Sequence, residues 1–170
     1  MKKFLLMAVM VFMTVAANAQ FYVGGNAAIK AVHHDDDTTL SFGIAPEFGY
    51  NIDDMWSVGG SIGFSSVKPD GGKSINTFSV LPYVRGKFLR AGDFTFFGDL
   101  YGGYRSQSWA GVSDNGWTIG LRPGVAFNLS DNWSLTATTS LLSYETWGKK
   151  GTTSIGVDMS DVSVGIYYNF

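Results

Sequence analysis

Four charged residues share positions from which they could act together. Glu47, Arg85, Asp99 and Arg122 each stand about four to six residues from a short Asn/Asp/Gly-rich turn, in the polar phase of a segment that alternates apolar and polar residues. Alternate side chains of a strand share a face, so these four are expected to meet in one layer. Two carboxylates and two guanidiniums balance, whereas one such charge buried alone costs several kcal/mol. The chemistry open to the group is either mutual pairing, which makes a polar plug, or a hydrated gate or proton path; the plug is the reading taken. Lys30, Lys87 and Arg105 fall in the same phase nearer the segment ends and are expected to reach toward water.

Other reactive residue types are sparse. With no cysteine among 170 residues, thiol catalysis, disulfides and cysteine-zinc sites are excluded. His33-His34-Asp35-Asp36-Asp37 could ligate a divalent cation, but neighbours in one loop seldom converge on a metal, and a solvated acidic tip is the reading taken. The same histidines with Asp70, Ser74 or Ser106 raise lipid acyl transfer at a membrane surface. No His-x-Ser pair lies on a strand, and no catalytic residue, metal or cofactor is assigned. Lys68, Lys73, Lys149 and Lys150 could meet lipid phosphates as point charges, and Asp114-Asn115-Gly116 reads as a turn. A net charge of −2 excludes a strongly basic nucleic-acid binder.

The elements that carry these residues are strands. Leu40–Tyr50, Trp56–Ser65, Trp117–Phe127 and Val162–Phe170 alternate strictly, and Phe21–Val32, Thr77–Leu89, Phe94–Ser106 and Trp133–Tyr144 do so more weakly, which makes eight. Their connections alternate too. Asn51–Met55, Arg90–Asp93 and Asn128–Asn132 are tight turns, while His33–Thr39, Ser66–Asn76, Ser106–Gly116 and Glu145–Ser154 read as longer polar loops. Short turns thus lie at one end and loops at the other. Pro46, Pro82 and Pro123 recur in one phase of the second, fourth and sixth strands; each lacks a ladder donor, so bulges or broken pairing are expected there.

Met1-Lys2-Lys3, the uncharged run Phe4–Ala16 and Ala17-Asn18-Ala19 form a secretory signal peptide, residues 1–19, leaving one domain over 20–170. The remainder carries ten basic and fourteen acidic residues and no apolar run long enough for a transmembrane helix. A soluble barrel would show water a phase rich in Lys, Glu and Thr. Here the second phase is mostly Gly, Ser and Ala, which suits a cramped eight-stranded interior. The large apolar phase then faces lipid, where closure of the sheet is obligatory. Aromatics gather near both strand ends, as two interfacial girdles require. The expected fold is all-β, an eight-stranded antiparallel up-and-down transmembrane β-barrel.

Together with the signal peptide and the eight alternating strands, Pro46-Glu47-Phe48-Gly49-Tyr50, Pro82-Tyr83-Val84-Arg85 and Tyr167-Tyr168-Asn169-Phe170 resemble the small outer-membrane β-barrel family of OmpX-like and OmpA-barrel-like proteins, over all of 20–170. The resemblance implies a multi-pass outer-membrane barrel, non-enzymatic, with a structural or surface-interaction role. A narrow, porin-like diffusion channel is the alternative, and a lipid A-modifying enzyme is less favoured. It also implies that Phe170, with Tyr168 and Ile166, forms the signal read by the barrel-assembly machinery. Outer-membrane lipids and lipopolysaccharide are the implied surroundings. A host or surface ligand is left unidentified, and no peptidoglycan-binding domain follows the barrel as it does in the OmpA type.

Overall fold

Alternating residues bury one face and expose the other only when a sheet separates two environments, and this sheet does so by closing on itself. The computed structural model describes residues 20–34, 37–68, 72, 74–109, 111–147, 150–156 and 162–170. The segment read as a signal peptide lies outside these residues, as do Asp35, Asp36, Asp70, Lys73 and Lys149. The described strands are β1 (Phe21–His34), β2 (Asp37–Asn51), β3 (Trp56–Lys68), β4 (Ile75–Ala91), β5 (Phe94–Trp109), β6 (Val112–Asn128), β7 (Trp133–Thr138), β8 (Leu142–Trp147), β9 (Lys150–Ile155) and β10 (Ser163–Asn169).

Neighbours from β1 to β6 pair antiparallel in sequence order. Next, β6 pairs with β7 near the turn end and with β8 further along. β10 joins β7 to β1, and β9 lies on β8, so the seventh and eighth staves of the barrel are each built from two strands. The expected single strand Trp133–Tyr144 is therefore corrected to two, interrupted between Thr138 and Leu142. Described residues include no helix long and apolar enough to cross a membrane; the crossing is made by strands.

Each proline coincides with an irregularity, as its missing N–H demands. The β2–β3 ladder omits Ala45 and Pro46, and the β4–β5 ladder omits Leu81 and Pro82, both resuming in register. At Pro123 two residues of β6 oppose three, Thr139–Leu141, between the paired stretches of β7 and β8, a bulge. Thr139 N–H donates to the Pro123 carbonyl at 3.1 Å, which bridges that gap.

Three connections expected to be loops are largely strand. β1–β2 pairing reaches His34↔Asp37, β5–β6 pairing reaches Trp109↔Val112, and β8–β9 pairing reaches Trp147↔Lys150. Asp114, Asn115 and Gly116, read as a turn, are paired with Gln107, Ser106 and Arg105 inside a ribbon. The physical reason is that polar composition reports water on both faces of a ribbon, and says nothing against ladder hydrogen bonds within it. A two-residue turn, Gly92-Asp93, joins β4 to β5 at the opposite end, with Gly92 at φ +60°.

The faces sort as expected. Phe42, Phe48, Trp56, Ile62, Phe64, Phe78, Val80, Trp117, Ile119, Leu121 and Ile166 point outward and are exposed. Ser57, Ser61, Ser79, Thr118, Ser134, Thr136 and Thr138 are buried inside. Aromatic pairs cluster at the turn end, with Phe21–Tyr50 at 4.8 Å, Phe94–Phe127 at 4.9 Å and Trp133–Tyr168 at 5.1 Å between ring centroids. The interior also holds large rings that the small-residue reading overlooked. Tyr22, Tyr83, Phe97, Tyr101, Trp147 and Tyr167 each lie over a glycine directly opposite in the ladder, namely Gly49, Gly59, Gly124, Gly120, Gly116 and Gly24. The glycines are needed for close approach: a Cβ at Gly59 would sit 2.7 Å from the Tyr83 hydroxyl.

Candidate functional site: a charged layer across the lumen

Ladder register places Asp99 of β5 opposite Arg85 of β4 on one side and Arg122 of β6 on the other. Since all three lie in the inward phase, their side chains form one cross-strand row. Arg85 grips Asp99 with both arms, Nε to Oδ1 at 2.7 Å and Nη2 to Oδ2 at 3.0 Å. Arg122 Nη2 donates to the same Oδ2 at 3.0 Å. Glu47 approaches from β2, its Oε1 at 3.5 Å from Arg122 Nη2 and its Oε2 at 3.8 Å from Arg85 Nη2. The structure thus brings all four residues singled out in the sequence into one network. Both carboxylate side chains are at 0% exposure, which decides that they are held by protein and not by solvent.

Residues to which the sequence reading gave no place in the site complete the layer. Asn26 Nδ2 donates to Glu47 Oε1 at 2.6 Å and to the Tyr167 hydroxyl at 2.9 Å. Tyr83 OH donates to Glu47 Oε2 at 3.1 Å and shares a 2.9 Å hydrogen bond with Tyr22 OH. The Arg85 guanidinium lies 4.0 Å from the centroid of Phe97, a cation–π arrangement that offsets part of its desolvation. Tyr83, Phe97 and Tyr167 share the inward phase with the charges, so the signal was in the alternation. What hid them was the assumption that a narrow lumen admits only small residues.

Cavities lie on both sides of this layer. On the turn side is a cavity of about 1020 Å³ bordered by Tyr22, Ser57, Arg85, Phe97 and Tyr167. On the ribbon side is one of about 250 Å³ bordered by Asn26, Ser79, Arg105 and Arg122. Glu47 and Asp99 border neither. Lys87 donates to Asn51 Oδ1 at 2.8 Å at the turn end. Arg105, expected to reach toward water, is part-exposed and is also paired with Glu145 of β8, whose other oxygen accepts from Trp147 Nε1 at 3.3 Å. The reason is that Glu145, read as a loop residue, belongs to a strand and faces inward. Side chains of Lys30, His33, His34 and Lys150 lie outside the described set. Among the described residues no cluster of three metal-ligating side chains occurs.

At the far end of the chain Phe170 is exposed, its N–H donating to the Phe21 carbonyl at 3.0 Å, and Tyr168 packs edge-on against it at 5.0 Å. Ile166 points outward from β10, the strand that closes the barrel.

Similar solved structures are small outer-membrane barrels. Neisserial surface protein A superposes with a TM-score of 0.60 at 17% identity, covering 88% of this chain and 97% of that one. The N-terminal β-barrel domain of Pseudomonas aeruginosa OprF gives 0.52 at 12% identity, over 89% and 98%. OprG from the same organism gives 0.52 at 14%, over 89% and 96%. Likeness at these identities concerns the fold, and no curated protein matches the sequence. The model of the outer membrane protein beta-barrel domain family matches residues 4–170. With the closed, lipid-facing barrel described above, that match establishes that the chain belongs to the outer membrane protein beta-barrel domain family.

Proposed function

We propose that this outer-membrane barrel is a non-enzymatic structural or surface-interaction protein whose lumen is plugged by Glu47, Arg85, Asp99 and Arg122. The observation that carries the reading is the ion network between two cavities of the lumen, with both carboxylates at 0% exposure. Both carboxylates are fully taken up by the two guanidiniums and offer a substrate nothing, and moving one ion out of such a network exposes the others to the full desolvation cost. The lipid-facing band anchors the protein among outer-membrane lipids and lipopolysaccharide. The outer ribbons, with Lys68 exposed on one of them, offer the surface that a ligand would meet. Phe170, Tyr168 and Ile166 are proposed as the strand-end signal for the assembly machinery, supported by their place on the closing strand.

Single-channel conductance of the refolded protein in planar bilayers tests the plug. Silence across voltages is the expected result. Reproducible discrete steps would overturn the plug in favour of a narrow diffusion channel, with Glu47 and Arg85 as its selectivity residues.

A further inference from the structure

The ribbon-side cavity, about 250 Å³, receives polar groups from Asn26, Ser65, Thr77, Ser79, Arg105 and Arg122. Among the described residues that line it there is no carboxylate. Both arginines keep donors in reserve. Arg122 meets its two carboxylates through Nε and Nη2, while Arg105 meets Glu145 through Nη1 and its Nε is buried without a partner. Asn26 uses Nδ2 for both of its contacts, and its Oδ1 is unpartnered. Unused guanidinium N–H groups are strong donors to oxyanions. The unused amide oxygen of Asn26, a residue of the same lining, asks for a donor. The volume lies below the roughly 300–1,000 Å³ of sites for drug-sized ligands, so the occupant is small.

We propose that this cavity binds a compact oxyanion that also carries a hydroxyl or ammonium donor, such as a short hydroxy- or amino-carboxylate, entering from the ribbon end. Its oxygens accept from Arg122 and Arg105 and its donor meets Asn26 Oδ1. Glu145 competes with the anion for Arg105. The site does not depend on the lumen being closed, so this inference and the plug can fail separately.

Lactate and inorganic phosphate, titrated into the refolded full-length barrel in neutral detergent, are followed by calorimetry. Tryptophan fluorescence provides a second readout, because Trp147 lies 5.9 Å from the Arg105 guanidinium. Saturable binding of either probe is expected. Arg105→Gln should weaken it by about tenfold, the loss of one charge-assisted hydrogen bond, and Arg90→Gln at the turn end should leave it unchanged. Glu145→Gln should tighten it, a gain that misfolding cannot produce. Absence of saturable binding of both probes up to roughly 100 mM, or equal affinity in Arg105→Gln and the unaltered protein, would overturn the proposal.

Discussion

Asp99 accepts from two guanidiniums on neighbouring strands and touches no water, so a neutral replacement strands two cations at once. Glu47 bridges the same two cations across the lumen at longer range. Removing one partner of a buried ion network costs about 3–5 kcal/mol. Glu47→Ala should therefore lower barrel stability by about that amount, with Asp99→Ala lowering it further, read as the urea midpoint of unfolding from lipid vesicles. An unchanged midpoint for Glu47→Ala would mean that the layer is hydrated and contributes nothing to folding. Legibility at this scale was uneven. Counting residues from the turns found the four charges, because strand periodicity is rigid. It missed Asn26, Tyr83 and Tyr167, because which inward residue reaches across a lumen depends on barrel curvature.

Among elements, the strands are held together inside by rings lying on glycines. The pairing is directly cross-strand, so a methyl group on the glycine meets the ring, and at Gly24, Gly59, Gly116 and Gly120 a backbone carbonyl oxygen as well. Gly59→Ala should cost about 1–3 kcal/mol by overpacking against Tyr83, and the double change with Tyr83→Phe should recover part of it, since the hydroxyl is among the nearest atoms. Ribbon extension makes a second expectation at this scale. Asp114, Asn115 and Gly116 pair with β5; the Asn115 N–H turns away from it and donates to Asp114 Oδ1, which leaves the Asp114 and Gly116 amides facing the β5 ladder. They should exchange slowly with deuterium in a mass-spectrometric time course. Exchange at the rate of a free peptide would restore the loop reading.

For the whole molecule the deciding term is the solvent outside. The exposed band on β4 runs from Phe88 to Phe78, about 25 Å along the barrel axis for strands tilted by roughly 40°. That matches the apolar height of an outer-membrane barrel. Val58, opposite Val84, lies near the middle of the band on β3, and Phe64, opposite Phe78, lies at its edge. Val58→Arg should cost about 2–4 kcal/mol in vesicles, and Phe64→Arg at the rim should cost less. Equal penalties at the two positions would place the band somewhere other than the bilayer. Phe170→Asp should reduce insertion in cells while leaving refolding in detergent intact, because the proposed assembly signal is read by a machinery and not by the fold.

Alternation with period two, eight segments, three short turns and a small-residue phase were enough to establish a closed barrel with its apolar side outward. Each depends only on local chemistry: side-chain direction along a strand, the conformations open to Asn, Asp and Gly, and the cost of unpaired backbone in lipid. The proline phase even announced where the ladders would be interrupted. What only the tertiary structure decided was register and reach. Register set Asp99 between Arg85 and Arg122 and put each interior ring over its glycine. Closure brought Glu47 and Asn26 across the lumen to that row, and strand pairing turned Asp114-Asn115-Gly116 and Glu145 from loop residues into parts of the wall. These are contacts between residues distant along the chain, and their geometry exists only once the sheet has closed.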